Sequence, residues 1–189
     1  MPSRPGLDRR VIVQKAAQIA DEQGLHNLTL AAVATKLGVR LPSLYNHIGG
    51  LANLNLGLAA LGLRELGAQL SKAAVGKTGD EAIIAIANAY RVFAHTRPGL
   101  YEATLHAPDP DDDEMQTEAK NVVDILLTVL QPYELSDDDA LHVVRGLRSI
   151  AHGFVSLEAA GAFGHALTLD ESYHQLISTF MQGLKAKSR

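Results

Sequence analysis

Residues 30–47 read LAAVATKLGVRLPSLYNH, and their spacing decides the fold class. Leu30, Val33, Ala34 and Leu37 recur at helical intervals, which predicts a short helix with one buried face. Gly38 ends it, because a left-handed residue costs least at glycine. A second short helix is expected over residues 42–47, with Pro42 in its first turn, where the missing N–H breaks no intrahelical bond. Ala34 is small where the two helices must approach. Leu44, six residues beyond Gly38, faces back into the small core with Val39. Two helices joined by a glycine-containing turn form the frame of a helix-turn-helix. The second helix then presents Arg40, Leu41, Ser43, Asn46 and His47 outward, side chains suited to base edges and phosphates in a major groove.

Upstream, Ile12, Ala16, Ile19 and Ala20 share one face of a helix over residues 9–23, stopped by Gly24. Asn27 or Thr29 caps the helix that follows. An arm carrying Arg4, Arg9 and Arg10 leads in. Residues 1–50 hold six Lys/Arg against three acids, while residues 51–189 hold 11 against 18. The net charge of −4 therefore averages a basic module and an acidic body.

Downstream of the Gly49-Gly50 break everything again reads helical. Helices are expected over residues 51–74, 80–95, 100–106, from the acids at 111–114 to about 130, from a Ser136 cap to about 160, and over 170–185. No stretch sustains the period-2 alternation of a strand. The expectation is an all-α chain of about nine helices, divided into a helix-turn-helix domain at 1–48 and a ligand-binding and dimerisation domain at 49–189.

Composition narrows the chemistry. The 189 residues are 47% hydrophobic and contain no cysteine, so a core is affordable while disulfides, thiolate nucleophiles and cysteine-held metals are excluded. No apolar run approaches the roughly 20 residues of a membrane span, and no basic-then-apolar signal segment follows Met1. A cytoplasmic protein without a membrane partner is expected. No phosphate-binding glycine loop, dinucleotide fingerprint or Ser-His-Asp order supports catalysis, and no cofactor is expected.

The run Thr29-Leu30, Val33-Ala34, Leu37-Gly38-Val39 and Ser43-Leu44-Tyr45-Asn46-His47-Ile48 resembles the N-terminal domain of TetR-family transcriptional regulators. The usual pattern ends Leu-Tyr-x-His-Phe, and Ile48 stands here for the Phe. The resemblance extends over the whole chain and is strongest over residues 9–57. The stretch 145–164, with His152-Gly153, is similar to a branch of the family's ligand-binding domains marked by Trp-His-Gly, although this chain has no Trp. The resemblance implies a homodimer that reads a palindromic double-stranded DNA operator, a repressor released by a small-molecule effector. By position it implies that Thr29, Ser43, Tyr45 and His47 contact phosphates, and that Arg40, Leu41, Pro42 and Asn46 lie nearest the bases. Family members commonly carry a Lys at the start of the next helix, where this chain has Leu51. The basic arm offers compensation. Blander readings stay open: a core position for Tyr45, a partnerless surface His47 and an arm that makes no ordered contact.

In the acidic body, polar residues on apolar helices are the effector-site candidates: Tyr90, His95, Tyr101, His106, Arg145, Arg148, His152 and Glu158. Arg145, Arg148 and His152 share one helix face. Dimerisation is expected through the last two helices, on Ile150, Ala151, Phe154, Val155 and Leu157 of one and Leu176, Ile177, Phe180 and Leu184 of the other. Two carboxylate-x-x-His pairs, Asp139…His142 and Glu171…His174, leave the alternative of an all-helical metal-dependent enzyme. Solvated charge at helix starts explains the same pairs without a metal.

Overall fold

Asp8 starts the first helix by accepting a hydrogen bond from the Val11 amide at 2.7 Å. This is α1 (Arg9–Gln23), whose Ile12, Val13, Ala16, Ala17, Ile19 and Ala20 are buried. The structure, a computed structural model, describes residues 7–105 and 112–187. Arg4 and His106 lie outside them. A 3-10 turn at Leu25–Asn27 follows, an element the apolar periodicity does not announce. It settles the choice of cap: Asn27 donates back to the Gln23 carbonyl at 2.8 Å, while the Thr29 hydroxyl accepts the Ala32 amide at 3.1 Å.

Thr29 thus opens α2 (Leu30–Leu37), and Gly38 closes it in a left-handed conformation, φ 68° and ψ 32°. The Val39 amide returns to the Ala34 carbonyl at 3.0 Å, completing the turn. α3 (Leu41–Tyr45) is shorter than expected and begins one residue earlier. Leu44 is its one buried residue. Beyond Tyr45 the His47 and Ile48 amides both reach the Leu44 carbonyl, at 2.9 Å, and the chain turns toward α4 (Leu51–Ala74).

α5 (Gly79–Thr96), α6 (Pro98–Ala103), α7 (Asp113–Leu130), α8 (Asp137–Ala159) and α9 (Leu169–Lys187) complete the order, with a 3-10 turn at Gln131–Tyr133. Nine α-helices and no strand occur among the described residues. The all-α expectation holds, and most helix ends fall within two residues of where Gly, Pro and the acid-rich first turns place them.

Two compact units emerge, one from residues 1–65 and 97–119, the other from residues 66–96 and 120–189. In the first, α1 packs on α2 and, most extensively, on α6. Gly99 permits that approach, since a Cβ there would sit 2.3 Å from the Ala20 carbonyl carbon. Asp21 then ties the two helices. One of its oxygens accepts the Gly99 and Leu100 amides at 2.9 and 3.2 Å, capping α6, and the other takes Arg97 Nε at 2.7 Å. Arg97 also pairs with Glu65 of α4.

In the second unit α5, α8 and α9 pack on one another. Tyr173 of α9 is fully buried and donates to the Ala87 carbonyl at 2.8 Å. Its ring lies 5.0 Å from that of Phe154, which in turn lies 4.8 Å from Phe163. Ser136 caps α8 as expected, accepting the Asp139 amide at 3.3 Å. No helix among the described residues is long and apolar enough to cross a membrane.

Candidate nucleic-acid interface

The helix-turn-helix core is small and apolar: Val33, Ala34 and Leu44 are buried together with Leu28, Leu30 and Ile48. Because α3 is short and only Leu44 turns inward, the rest of its surface faces out. Arg40, Leu41, Pro42, Tyr45, Asn46 and His47 are exposed, and Ser43 is half-exposed. Tyr45 has 55% of its surface open, so it is not a core aromatic. Among the described residues, no hydrogen bond or ion pair engages the side chains of Arg40, Ser43, Tyr45, Asn46 or His47. Thr29 is exposed too, but its hydroxyl already serves as the α2 cap.

The basic residues around this face are unequal. Lys36 pairs with Glu22 at 2.5 Å, and Lys15 bonds Gln18 at 2.7 Å. Arg9 departs from its expected place in a phosphate-facing arm: its guanidinium is paired with Glu114 of α7 at 2.7 Å. Arg64 reaches the same carboxylate at 2.9 Å. The two cations, Arg9 first, hold the Glu114 carboxyl below its usual range. Arg10 and Arg40 remain exposed. Leu51 is 41% exposed at the first position of α4. A cleft of about 520 Å³ adjoins the end of α3, lined by Arg9, His47, Gly49, Asn53, Asp112 and Asp113 among others.

The effector candidates fare differently. Tyr101 is buried in α6 and belongs to the first unit, whereas Tyr90, His95, Arg145, Arg148 and His152 belong to the second. Arg145 and Arg148 are exposed, His152 is half-buried beside the Ser156 hydroxyl at 3.4 Å, and Tyr90 is half-buried. His95 bonds Glu158 through Nε2 at 2.8 Å. That carboxylate is centred on Arg91, a residue the helical reading passes over. Arg91 forms a two-point pair with Glu158, at 2.9 and 2.5 Å, and a further bond to Asp170 at 2.8 Å. Its guanidinium carbon lies 5.6 Å from the Phe154 ring centre and 5.3 Å from that of Tyr173. Arg91 pulls the Glu158 carboxyl down, and Glu158 pushes the guanidinium up. The signal available in the sequence was Arg91 and His95 at i and i+4, a spacing that puts both side chains on one face of α5. A cleft of about 480 Å³ in this unit, lined by Asp124, Leu127, Thr128, Gln131, Leu135 and Leu141 among others, includes none of the effector candidates.

Both carboxylate-x-x-His pairs lie on exposed positions rather than projecting inward. Asp139 accepts from the Ser136 hydroxyl at 2.7 Å and Glu171 from Gln175 at 2.7 Å. No group of three His, Asp or Glu side chains suited to a metal occurs among the described residues. Of the nine residues expected on the dimer face, Ala151, Phe154, Val155, Ile177 and Leu184 are buried within the chain's own core. Ile150, Leu176 and Phe180 are half-buried, and Leu157 is 49% exposed.

Residues 83–180 match the family model described as the tetracyclin repressor-like C-terminal domain. The chain belongs to the TetR family of transcriptional regulators. It is 39% identical over 184 residues to YobS of Bacillus subtilis, described as an uncharacterized HTH-type transcriptional regulator, covering 97% of this chain and 96% of that protein. A solved structure from Rhodococcus sp. RHA1, of unknown function, superposes with a TM-score of 0.81 at 24% identity, covering 98% and 99% of the two chains. BioQ, solved with its double-stranded DNA operator, superposes with a TM-score of 0.71 at 20% identity, covering 95% and 99%. The relatives are regulators, and a metal-dependent enzyme finds no support among them.

Proposed function

We propose that this regulator is a homodimeric repressor that holds a palindromic operator and leaves it when a small molecule binds. The observation that carries the reading is the surface over residues 40–47: six exposed side chains and one half-exposed around the buried Leu44, the polar ones without side-chain partners among the described residues. Arg40, Leu41, Pro42 and Asn46 then lie nearest the bases, while Thr29, Ser43, Tyr45 and His47 take phosphates. Residues 1–48 act as the DNA-binding domain and residues 49–189 as the sensor and dimerisation domain, working in the cytoplasm where the chromosome is.

The dimer forms through the surface α8 and α9 leave open. Leu157, Ile150, Leu176 and Phe180 supply apolar area, and Gly153 has open space in front of it, as a close helix approach needs. Leu157→Glu should turn a dimer into a monomer in light scattering. For the effector, Tyr90 and His152 are the better candidates, since both are half-buried. His95 is engaged by Glu158.

Fluorescence anisotropy on the DNA upstream of its own gene tests the reading. The wild-type chain should bind there, and a chain with both Arg40→Ala and Tyr45→Ala should lose about 100-fold or more in affinity, at two contacts of roughly tenfold each. Binding indifferent to both changes would overturn the assignment of α3.

A further inference from the structure

The first two residues of α3 are Leu41 and Pro42, both exposed, with Leu41 open over 37% of its surface. The other leucines of the helix-turn-helix point inward: Leu28, Leu30 and Leu44 are buried and Leu37 half-buried. An outward leucine followed by proline gives the leading end of the helix a small apolar surface. Neither side chain donates or accepts a hydrogen bond, and Pro42 lacks even a backbone N–H. Whatever base edge lies opposite them cannot be chosen by hydrogen bonding to these two residues.

One feature of the major groove is apolar, the C5-methyl group of thymine. Arg40 stands immediately before the pair and Tyr45, Asn46 and His47 beyond it, so apolar readout is flanked by hydrogen-bonding side chains. The proline ring has its backbone angle already fixed, and it offers methylene surface at little cost in conformational entropy. No acidic side chain lies between Arg40 and Gly50, so nothing in this segment repels the phosphates on either side.

We infer that Leu41 and Pro42 are specificity-determining residues that read thymine methyl groups, so that each operator half-site carries thymine opposite the start of α3. This rests on the reading of α3 as the recognition helix. Cytosine differs at that position by lacking the methyl, and the pair discriminates between the two pyrimidines through this group. Arg40 and Asn46 read the neighbouring base pairs by hydrogen bonds, guanine and adenine being their best partners.

The test uses the full chain and a duplex selected by it from a randomised DNA pool. Each thymine of that duplex is replaced in turn by deoxyuridine, which removes only the methyl. At one or two positions per half-site affinity should fall about fourfold, the worth of one buried carbon. Placing 5-methylcytosine at the same positions should bind more tightly than cytosine. Leu41→Ala should weaken binding to the thymine duplex and be nearly indifferent to deoxyuridine at the position it reads, so the two changes are not additive. Leu41 is exposed, so an unchanged thermal midpoint shows that this variant is folded. A duplex bound tightly with no response to deoxyuridine anywhere, or a methyl response that Leu41→Ala and Pro42→Ala leave intact, overturns the inference alone. Failure to select any duplex overturns the reading of α3, and this inference falls with it.

Discussion

The outer face of α3 and the cluster around Arg91 hold similar side chains and use them in opposite ways. Around Arg91, a guanidinium, two carboxylates, an imidazole and two aromatic rings satisfy one another, and only 16% of the Arg91 side chain and 11% of that of Glu158 remain accessible. At the two ends of α3, Arg40, Asn46 and His47 are exposed, with no side-chain hydrogen bond or ion pair among the described residues. A polar group whose hydrogen bonds are met within the chain has little left to offer a partner. One that stays hydrated and unpaired gives up only water when a phosphate or base edge arrives. Similar chemistry therefore marks a structural tie in one region and a binding surface in the other. What separates them is which element lies across from each side chain.

Two arginine substitutions should break this comparison apart most sharply. Arg91→Ala leaves Glu158 largely buried without its two-point partner, and the expected cost is about 3 kcal/mol, the low end for breaking a buried pair. Thermal unfolding should register it as a fall of about 6–12 °C in Tm. Arg91→Lys should recover only part, because an ammonium cannot reproduce the fork. Arg40→Ala should do the reverse, leaving Tm within about 2 °C while weakening operator binding about tenfold. Equal effects of both changes on stability would erase the distinction.

Acid should discriminate next. Glu158, Glu114 and Asp80 are all held below their ordinary carboxyl values by hydrogen bonds from cationic partners, Arg91, Arg9 and Lys185 respectively. A depressed folded-state value means stability that is present above the unfolded value and lost as pH falls through the folded one. Denaturant midpoints should therefore decline below about pH 4.5, the ordinary value for glutamate. Glu65 runs the other way, because burial raises it despite Arg97, and it offsets part of the loss. Glu158→Gln should flatten the decline. A variant that titrates as steeply as wild type would remove Glu158 from the account.

Thr29 belongs to both sides of the comparison. Its hydroxyl caps α2, yet it is exposed and assigned to a phosphate. Thr29→Ala should lose about 1 kcal/mol of stability from the cap and some DNA affinity as well. Thr29→Ser should keep both. If DNA affinity survives Thr29→Ala at a temperature where the protein is fully folded, the residue is a cap alone.

The two regions were also unequally legible. Residues 30–47 declare themselves because their structure is local: Gly38, Thr29, Leu44 and the apolar spacing act within a few residues, so the sequence shows which faces turn in. α3 is shorter than the sequence suggests, since Asn46 and His47 continue the helical pattern while the His47 and Ile48 amides already close on the Leu44 carbonyl. The acidic body resisted reading because its polar residues are decided by remote partners. His95 stands among the effector candidates in the sequence, and its bond to Glu158, 63 residues away, is visible only in the fold. Asp21 looked like one acid among basic neighbours, yet it caps α6 across a separation of 78 residues. Arg9 met Glu114 in the same manner. Ala151, Phe154 and Ile177 read as a possible outer face because apolar periodicity reports that a face is buried and not what buries it.

Leu51 offers the finest test of how the exposed region spends its surface. The family commonly places a lysine at this position, and here a leucine 41% exposed stands at the first residue of α4. Arg9, a basic residue of the arm, is paired with Glu114 instead. Leu51→Lys should therefore add a phosphate contact that the chain currently lacks. The logarithm of the binding constant should then fall more steeply with the logarithm of salt concentration, by about 0.9 per half-site. Affinity should rise at low salt for operator and unrelated duplexes alike, since a phosphate contact carries no sequence information. Stability should change by less than about 0.5 kcal/mol, as for other exposed positions. An unaltered salt slope would mean that the start of α4 does not approach the phosphates in this protein, and that the exposed leucine serves some other contact.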